Sequence, residues 1–319
     1  MKVAVTGANG FVGRRLVADF ARAGHEVAAL SRRRIDQLHA RAAWLEAPDL
    51  GPAADWRTGI AGAEVVVHAA ARVHIMEDKA ADPLAEYRVA NVEGTLALAR
   101  QAAEAGVRRF VFISSIKVNG EVTEPNAPFR PDDPPRPVDP YGVSKGEAEA
   151  QLFALGEANG MEVVAIRSVL VYGPGVRANF GAMMSALAKG VPLPLGAVRN
   201  RRSLLFVGNL SDLVMCAAQH PGAAGRVFLG SDGEDLSTSD MLRRLGIALG
   251  RPARLVPVPP ALLRSAAALL GKGAQAQRLL GSLQVDIGPT RSTLDWAPPF
   301  SVEQGFAETA AAFREARRS

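Results

Sequence analysis

The opening residues place the tightest limit on the fold. Lys2-Val3-Ala4-Val5-Thr6 reads as a short buried strand and runs straight into Gly7-Ala8-Asn9-Gly10-Phe11-Val12-Gly13. An amphipathic stretch follows from Phe11 to about Ala23, Gly24 marks a helix stop, and Glu26 to Leu30 reads as a second strand. Strand, glycine-rich turn, helix and strand in such quick succession open a parallel α/β sheet. Glycines allow the tight turn and let backbone N–H groups approach a pyrophosphate at the helix N-terminus. The bland alternative is the same turn with no ligand. The spacing is Gly-x-x-Gly-x-x-Gly, unlike the Gly-x-Gly-x-x-Gly of many dehydrogenases.

The same alternation continues. Strands are expected near 2–6, 26–30, 41–45, 64–69, 108–114 and 162–168. A chain of 319 residues can bury a substantial core and hold one large or two interlocked domains. A proline-rich loop from Pro125 to Pro140 leads directly to Tyr141. Beyond Gly173 the pattern becomes irregular, and the apolar stretch Ala261 to Leu270 is too short to span a bilayer, so a core or interface helix is expected there. No apolar run of spanning length occurs, and the first residues already form the first strand, leaving no signal peptide. The single cysteine, Cys216, excludes an intrachain disulfide and points to the cytoplasm. Five scattered histidines offer no metal site. The net charge of +5 comes with arginines spread along the chain without interleaved aromatics, which argues against nucleic acid and for an anionic small substrate or simple compositional bias.

Tyr141 and Lys145 are four residues apart and share a helix face. A free tyrosine is a poor base at neutral pH, and a nearby ammonium favours its phenolate. Such a pair can exchange a proton with a carbinol or carbonyl. The spacing alone also occurs on ordinary solvated helices.

Six segments in order carry a resemblance that runs nearly end to end. They are Thr6 to Gly13, Val67-His68-Ala69-Ala70-Ala71, Asn91-Val92-Glu93-Gly94-Thr95, Ser114-Ser115, Tyr141-x-x-x-Lys145 and Val171-Tyr172-Gly173-Pro174-Gly175. In these the chain resembles the extended short-chain dehydrogenase/reductases, especially their nucleotide-sugar epimerase and dehydratase branch. The resemblance implies a Rossmann-type doubly wound parallel sheet in residues 1–172, with a segment near 203–230 returning to it. Residues 173–319 would mainly form a smaller substrate-binding domain, and a homodimer is implied.

It also implies roles. Ser115 would hydrogen-bond the reacting oxygen, Tyr141 would donate or accept the proton, and Lys145 would tune Tyr141 and bond the nicotinamide ribose. Gly7, Asn9, Gly10, Phe11, Val12 and Gly13 would cradle the cofactor, Ala69, Ala70 and Ala71 would leave it room, and Asp49 would bond the adenine amino group. Asn91 would serve the proton-relay region, or else cap a helix; Ser114 would be a secondary contact, or strand-end packing. At the end of the second strand, Ala29-Leu30-Ser31-Arg32-Arg33-Arg34 lacks the acid that normally bonds the ribose 2′-hydroxyl of NAD. Ser31 and Arg32 are the candidates for a 2′-phosphate, because arginine grips phosphate with charge-assisted contacts. NADP(H) is therefore favoured, with NAD(H) as the other option.

Where the family's 4,6-dehydratases carry Asp-Glu after the catalytic hydroxyl, this chain has Ile116-Lys117, which argues against dehydration and turns Lys117 toward the substrate. Asn179 and Arg202 resemble residues that bond the diphosphate of a UDP-sugar, and Arg278 is a weaker match. Leu283 falls where hexose epimerases carry a bulky tyrosine, leaving room for an N-acetyl group. The first reading is an NADPH-dependent reduction at C4 of a UDP-2-acetamido-4-keto-2,6-dideoxyhexose in bacterial polysaccharide (O-antigen) sugar biosynthesis. The alternative is a UDP-glucose or UDP-N-acetylglucosamine 4-epimerase with bound NAD. A non-catalytic dinucleotide-binding regulator is a remote third.

Overall fold

The first strand, β1 (Lys2–Thr6), ends in a glycine turn from which helix α1 (Phe11–Arg22) leaves. A computed structural model of the chain describes residues 1–73, 82–124 and 126–317, the side chains of Ala178 and Asn179 excepted. Gly24 takes the positive φ of 89° that ends the first crossover. The first half continues with β2 (Glu26–Ser31), β3 (Ala42–Glu46), α2 (Arg57–Ile60), β4 (Val65–His68), α3 (Pro83–Tyr87) and α4 (Gly94–Glu104). It closes with β5 (Arg109–Ser115), the long helix α5 (Pro140–Asn159) and β6 (Glu162–Ser168). A smaller part follows: β7 (Leu170–Tyr172), α6 (Ala178–Lys189), β8 (Arg202–Phe206), α7 (Val207–Gln219), β9 (Arg226–Gly230) and β10 (Asp235–Leu236). The helices α8 (Thr238–Ala248), α9 (Pro260–Leu269), α10 (Gly273–Leu280), α11 (Gly288–Leu294) and α12 (Val302–Glu315) complete it.

Seven strands form one sheet in the order β3-β2-β1-β4-β5-β6-β9. Every pairing in it is parallel. The chain order reverses between β1 and β4, so a crevice opens at the carboxyl edge there. Alternation along the strands supplies two buried faces. Val3, Val5, Val65, Val67, Val164 and Ile166 pack with Leu16 and Phe20 of α1 and Leu213 of α7. Ala4, Val66, Phe110, Phe112, Val163 and Ala165 point the other way, onto α4 and α5 through Leu96, Ala99 and Leu152. Both faces are covered, as a parallel sheet needs.

The smaller part has its own three-stranded sheet, β10-β8-β7, and its own core. Tyr172 is its hub: Phe180 stacks on it at 5.4 Å, and Phe306 packs at 5.0 Å. β8 thus belongs to this second sheet, whereas α7 and β9 lie on the large one. Of the core or interface helix expected in the apolar stretch before Gly271, the core option is set aside. α9 forms there, but none of its residues is buried.

Glycine at position 13 is dictated by backbone contact. A Cβ there would sit 2.1 Å from the Gly7 carbonyl oxygen, because α1 starts directly over the turn. Gly13→Ala should therefore lower the unfolding free energy by about 1–3 kcal/mol or more, since backbone must move to relieve the overlap. Urea denaturation checks this; an unchanged midpoint would show the turn is looser than drawn.

Candidate active site

The residues expected to carry chemistry gather at the carboxyl edge of the large sheet. Ser115 is the last residue of β5, and its Oγ accepts from the Lys117 backbone N–H at 3.3 Å across a tight 3-10 turn. Tyr141 is the second residue of α5. That helix starts where it does because Asp139 caps it, accepting from the Gly142 N–H at 2.7 Å, and Pro140 fills the first position. The proline-rich loop therefore ends in a pinned helix start. Gly142 is required by close approach: a Cβ would lie 2.9 Å from the Lys117 carbonyl oxygen.

Lys145, one turn on, is 2% exposed. Its Nζ donates to the Ile113 carbonyl at 2.7 Å and lies 4.1 Å from the centre of the Phe112 ring. Burial pushes its pKa down to about 7, and the Glu149 carboxylate partly counters this. Burial, then Asp139, then Tyr87 hold the Tyr141 phenol above its ordinary range, so it is a neutral phenol here. Behind this pair, Glu149 and Arg167 form a buried ion pair at 2.7 Å, with Ser114 donating to Glu149 and Arg167 donating to Asn119. Ser114 thus turns away from the cavity that Ser115 faces; it is strand-end packing with a hydrogen bond, not a contact to substrate.

Two cavities flank these residues. The first, of about 690 Å³, is walled by Gly7, Asn9, Gly10, Phe11, Val12 and Gly13 on one side. Ala69, Ala70 and Ala71 line it too, along with Ser31, Arg32 and Asp49 at its far end. Gly7 has a φ of +67°, and a Cβ on it would meet the Ala70 backbone at 2.8 Å. A cradle of bare backbone at a helix N-terminus, above a long cavity at the switch point, fits a dinucleotide. Thr6 braces this wall: its Oγ1 accepts from the Ala70 N–H at 3.2 Å and lies 2.7 Å from His68 Nδ1. His68 is kept neutral, its pKa held down at about 3 by burial first and the Lys145 charge second.

Three expected cofactor residues behave differently from a simple contact. Asn91 is buried and bonds both ways to the Arg72 backbone, at 2.8 and 3.0 Å, and donates to Ser144 at 3.1 Å. It neither lines the cofactor cavity nor caps a helix; it ties the loop after β4 to α5. The Ser31 hydroxyl faces inward, donating to the Arg33 carbonyl at 2.7 Å and receiving Trp44 Nε1 at 3.2 Å. Arg32 pairs with Asp49 at 2.6 Å, both well exposed.

The second cavity, of about 580 Å³, is lined by Ser115, Lys117, Tyr141, Arg202, Arg278 and Leu283. Arg202 donates to the Gly281 carbonyl at 3.1 Å, and burial lowers its pKa from the usual value. Arg199 and Arg201 point to solvent instead. The Asn179 side chain lies outside the described residues; its backbone belongs to α6. Lys117 does face the cavity, but it is clamped by Glu121 at 2.8 Å and by Asp139. Glu121 also lines the cavity and was missed in the sequence, as were Gln275 and Gln277 from α10. Asp139 had a readable signal, an acid before proline at a helix start. Among the described residues no group of acids, histidines and cysteine could hold a metal, and no helix is long and apolar enough to cross a membrane.

The Lys145 value gives a pH dependence with a definite sign. It lies near 7 in the folded chain and at 10.5 in the unfolded one. Between these values the unfolded chain holds a proton that the folded chain has lost, so this group makes stability rise with pH. The cost of burying the charge is fully present below the lower value. In cofactor-free protein, Lys145→Met should gain most over the parent near pH 6, and the gap should shrink as pH rises from 7 to 10.5. Denaturation midpoints across this range decide it; a gap independent of pH would contradict the buried-charge picture.

Comparison with known proteins agrees with the geometry. The family model described as "NAD dependent epimerase/dehydratase family" matches residues 3–229. A UDP-glucose 4-epimerase of Vibrio cholerae is 46% identical over 316 residues, covering 98% of this chain and 96% of that one. A GDP-6-deoxy-D-mannose reductase of Pseudomonas aeruginosa is 26% identical over 313 residues, covering 94% and 93%. Among solved structures, MoeE5 in complex with UDP-glucuronic acid and NAD superposes with a TM-score of 0.77 at 25% identity, covering 99% of this chain and 100% of that one. Glycine cradle, parallel sheet and end-to-end likeness together place the chain in the NAD-dependent epimerase/dehydratase family of extended short-chain dehydrogenase/reductases.

Proposed function

We propose that this chain is a UDP-hexose 4-epimerase, acting on UDP-glucose or UDP-N-acetylglucosamine with a retained nicotinamide dinucleotide. The observation that carries the reading is the 46% identity to a UDP-glucose 4-epimerase over nearly all of both chains. The reductase relative, at 26%, is far more distant. This moves the alternative drawn from the sequence ahead of the 4-ketoreductase reading. The ketoreductase reading stands second, on the basic end of β2 alone.

The dinucleotide supplies a hydride acceptor, then donor, and a positive ring charge in its oxidised form. With it bound, Tyr141 as its phenolate would take the C4 hydroxyl proton and, as the phenol so formed, would return it to the same oxygen. Ser115 donates to the same oxygen and holds it in line with Tyr141. The Lys145 ammonium, beneath the pair, favours phenolate at the moment it is needed. Arg202 and Arg278 grip the diphosphate with planar donors, and Asn179 is assigned the same task. Leu283 in place of a bulky ring leaves room at C2. Ile116 and Lys117 offer no acid to drive loss of water from C5 and C6, so the ketone stage returns to alcohol. Ser115, Tyr141 and Lys145 are all present, which supports an enzyme over a silent dinucleotide-binding regulator.

For the cofactor, the Arg32–Asp49 pair supports NAD(H). A 2′-phosphate there would lie against the Asp49 carboxylate that Arg32 pairs with, and the Ser31 hydroxyl is engaged inward. This departs from the NADP(H) preference that the bare sequence of Ser31 to Arg34 favoured.

Purified protein given UDP-glucose or UDP-N-acetylglucosamine with no added cofactor should form the C4 epimer. Tyr141→Phe should cut the rate by roughly 10²–10⁴-fold while NAD(H) binding is retained. Reduction of a 4-keto-6-deoxy UDP-sugar at the expense of added NADPH, with no epimer formed, would restore the ketoreductase reading. In parallel titrations NAD(H) should bind more tightly than NADP(H); the reverse order would overturn the cofactor assignment.

A further inference from the structure

Residues 241–285 contain seven lysines and arginines and no aspartate or glutamate. Arg243 and Arg244 are paired with Asp240, Glu234 and Glu303 from outside this segment. The same segment holds Ile247, Val256, Leu262, Leu269 and Leu270, which are 46–90% exposed. At its centre is α9, in which no residue is buried. Leu263 and Ala267 are half-buried, while Leu262, Ala266 and Leu269 follow at helical spacing and stay in solvent. Arg264 and Lys272 flank that stripe, both exposed, and no ion pair among the described residues engages either. Large leucines left in water beside uncompensated cations are costly unless something covers them.

We propose that α9 and the turn into α10 form a docking surface for an anionic lipid bilayer. Leucines on one flank and cations on the other suit a helix lying in the headgroup plane, with charge complementing acidic lipid. Two other partners fit less well. The segment contains no aromatic residue, whereas protein hot spots and single-stranded nucleic-acid sites are built on aromatics. The surface also has a place in the function. Gln275, Gln277 and Arg278 of α10 line the substrate cavity, so the docked face lies at the rim of that cavity. Docking would hold the enzyme where sugar acceptors and donors meet the membrane surface, while the sheet and the cofactor half stay in water.

The test uses the full chain and co-sedimentation with vesicles of phosphatidylglycerol and phosphatidylcholine, against phosphatidylcholine alone. Binding should be confined to the anionic vesicles and weaken as salt rises. Leu269→Asp with Leu270→Asp, and separately Arg264→Glu with Lys272→Glu, should each reduce the bound fraction by about tenfold or more. Both variants should keep the parent's activity and circular dichroism, because none of these side chains lines either cavity. Failure of the parent to bind anionic vesicles overturns the proposal. So does binding that survives both double variants, or a leucine variant that only converts a dimer to a monomer in sedimentation velocity.

Discussion

Parallel pairing places the chemistry in this protein. In a sheet whose seven strands all run the same way, every carboxyl end emerges on one edge. Thr6, Ser31, His68, Ser115 and Ser168 are such ends, and each lies at or next to a cavity wall. The helices must then cross back over the faces, which is why the start of α1 meets the cofactor cavity and the start of α5 meets the substrate cavity. Reversal of strand order between β1 and β4 keeps the crossovers from closing the gap between them.

The electrostatics of the site follow from how tightly α5 is pressed on β5. The Lys145 amine has little water and is held by one carbonyl and one aromatic face. Glu149, on the next turn, would be an equally costly buried charge without Arg167 and Ser114. Removing one member of such a pair leaves an uncompensated charge and costs about 3–5 kcal/mol, more than the pair contributes when intact. The helix therefore carries its buried lysine on a base of matched charges. In front of it, Asp139 does two things at once: it caps α5 and neutralises Lys117. The lysine in the cavity is thus itself largely cancelled.

Much of the scaffold was legible in the sequence. The six strands expected from the apolar pattern lie within a residue or two of their observed bounds, because buried parallel strands are short continuous apolar runs. The glycine turn was legible because backbone contact tolerates no side chain at Gly7 or Gly13. Other features were not. Asn91 reads as a relay residue, yet its amide is consumed by the Arg72 backbone. Ser31 to Arg34 reads as a phosphate grip, yet Arg32 is paired with an acid seventeen residues away. Glu121 stands four residues after Lys117, a spacing that lets side chains pair over one turn, yet nothing local shows that the pair faces a cavity.

The sequence by itself determined the fold class and the glycine turn, since these depend on periodicity and on spacing within single elements; Ser115, Tyr141 and Lys145 were singled out by family resemblance. Tertiary structure decided which charges are spent and which remain available. Pairing of Arg32 with Asp49, clamping of Lys117 by Asp139 and the exposure of α9 all join or separate residues remote in the chain. A charge's effect depends on its distance to countercharge and on the water around it, and neither is written in the order of residues.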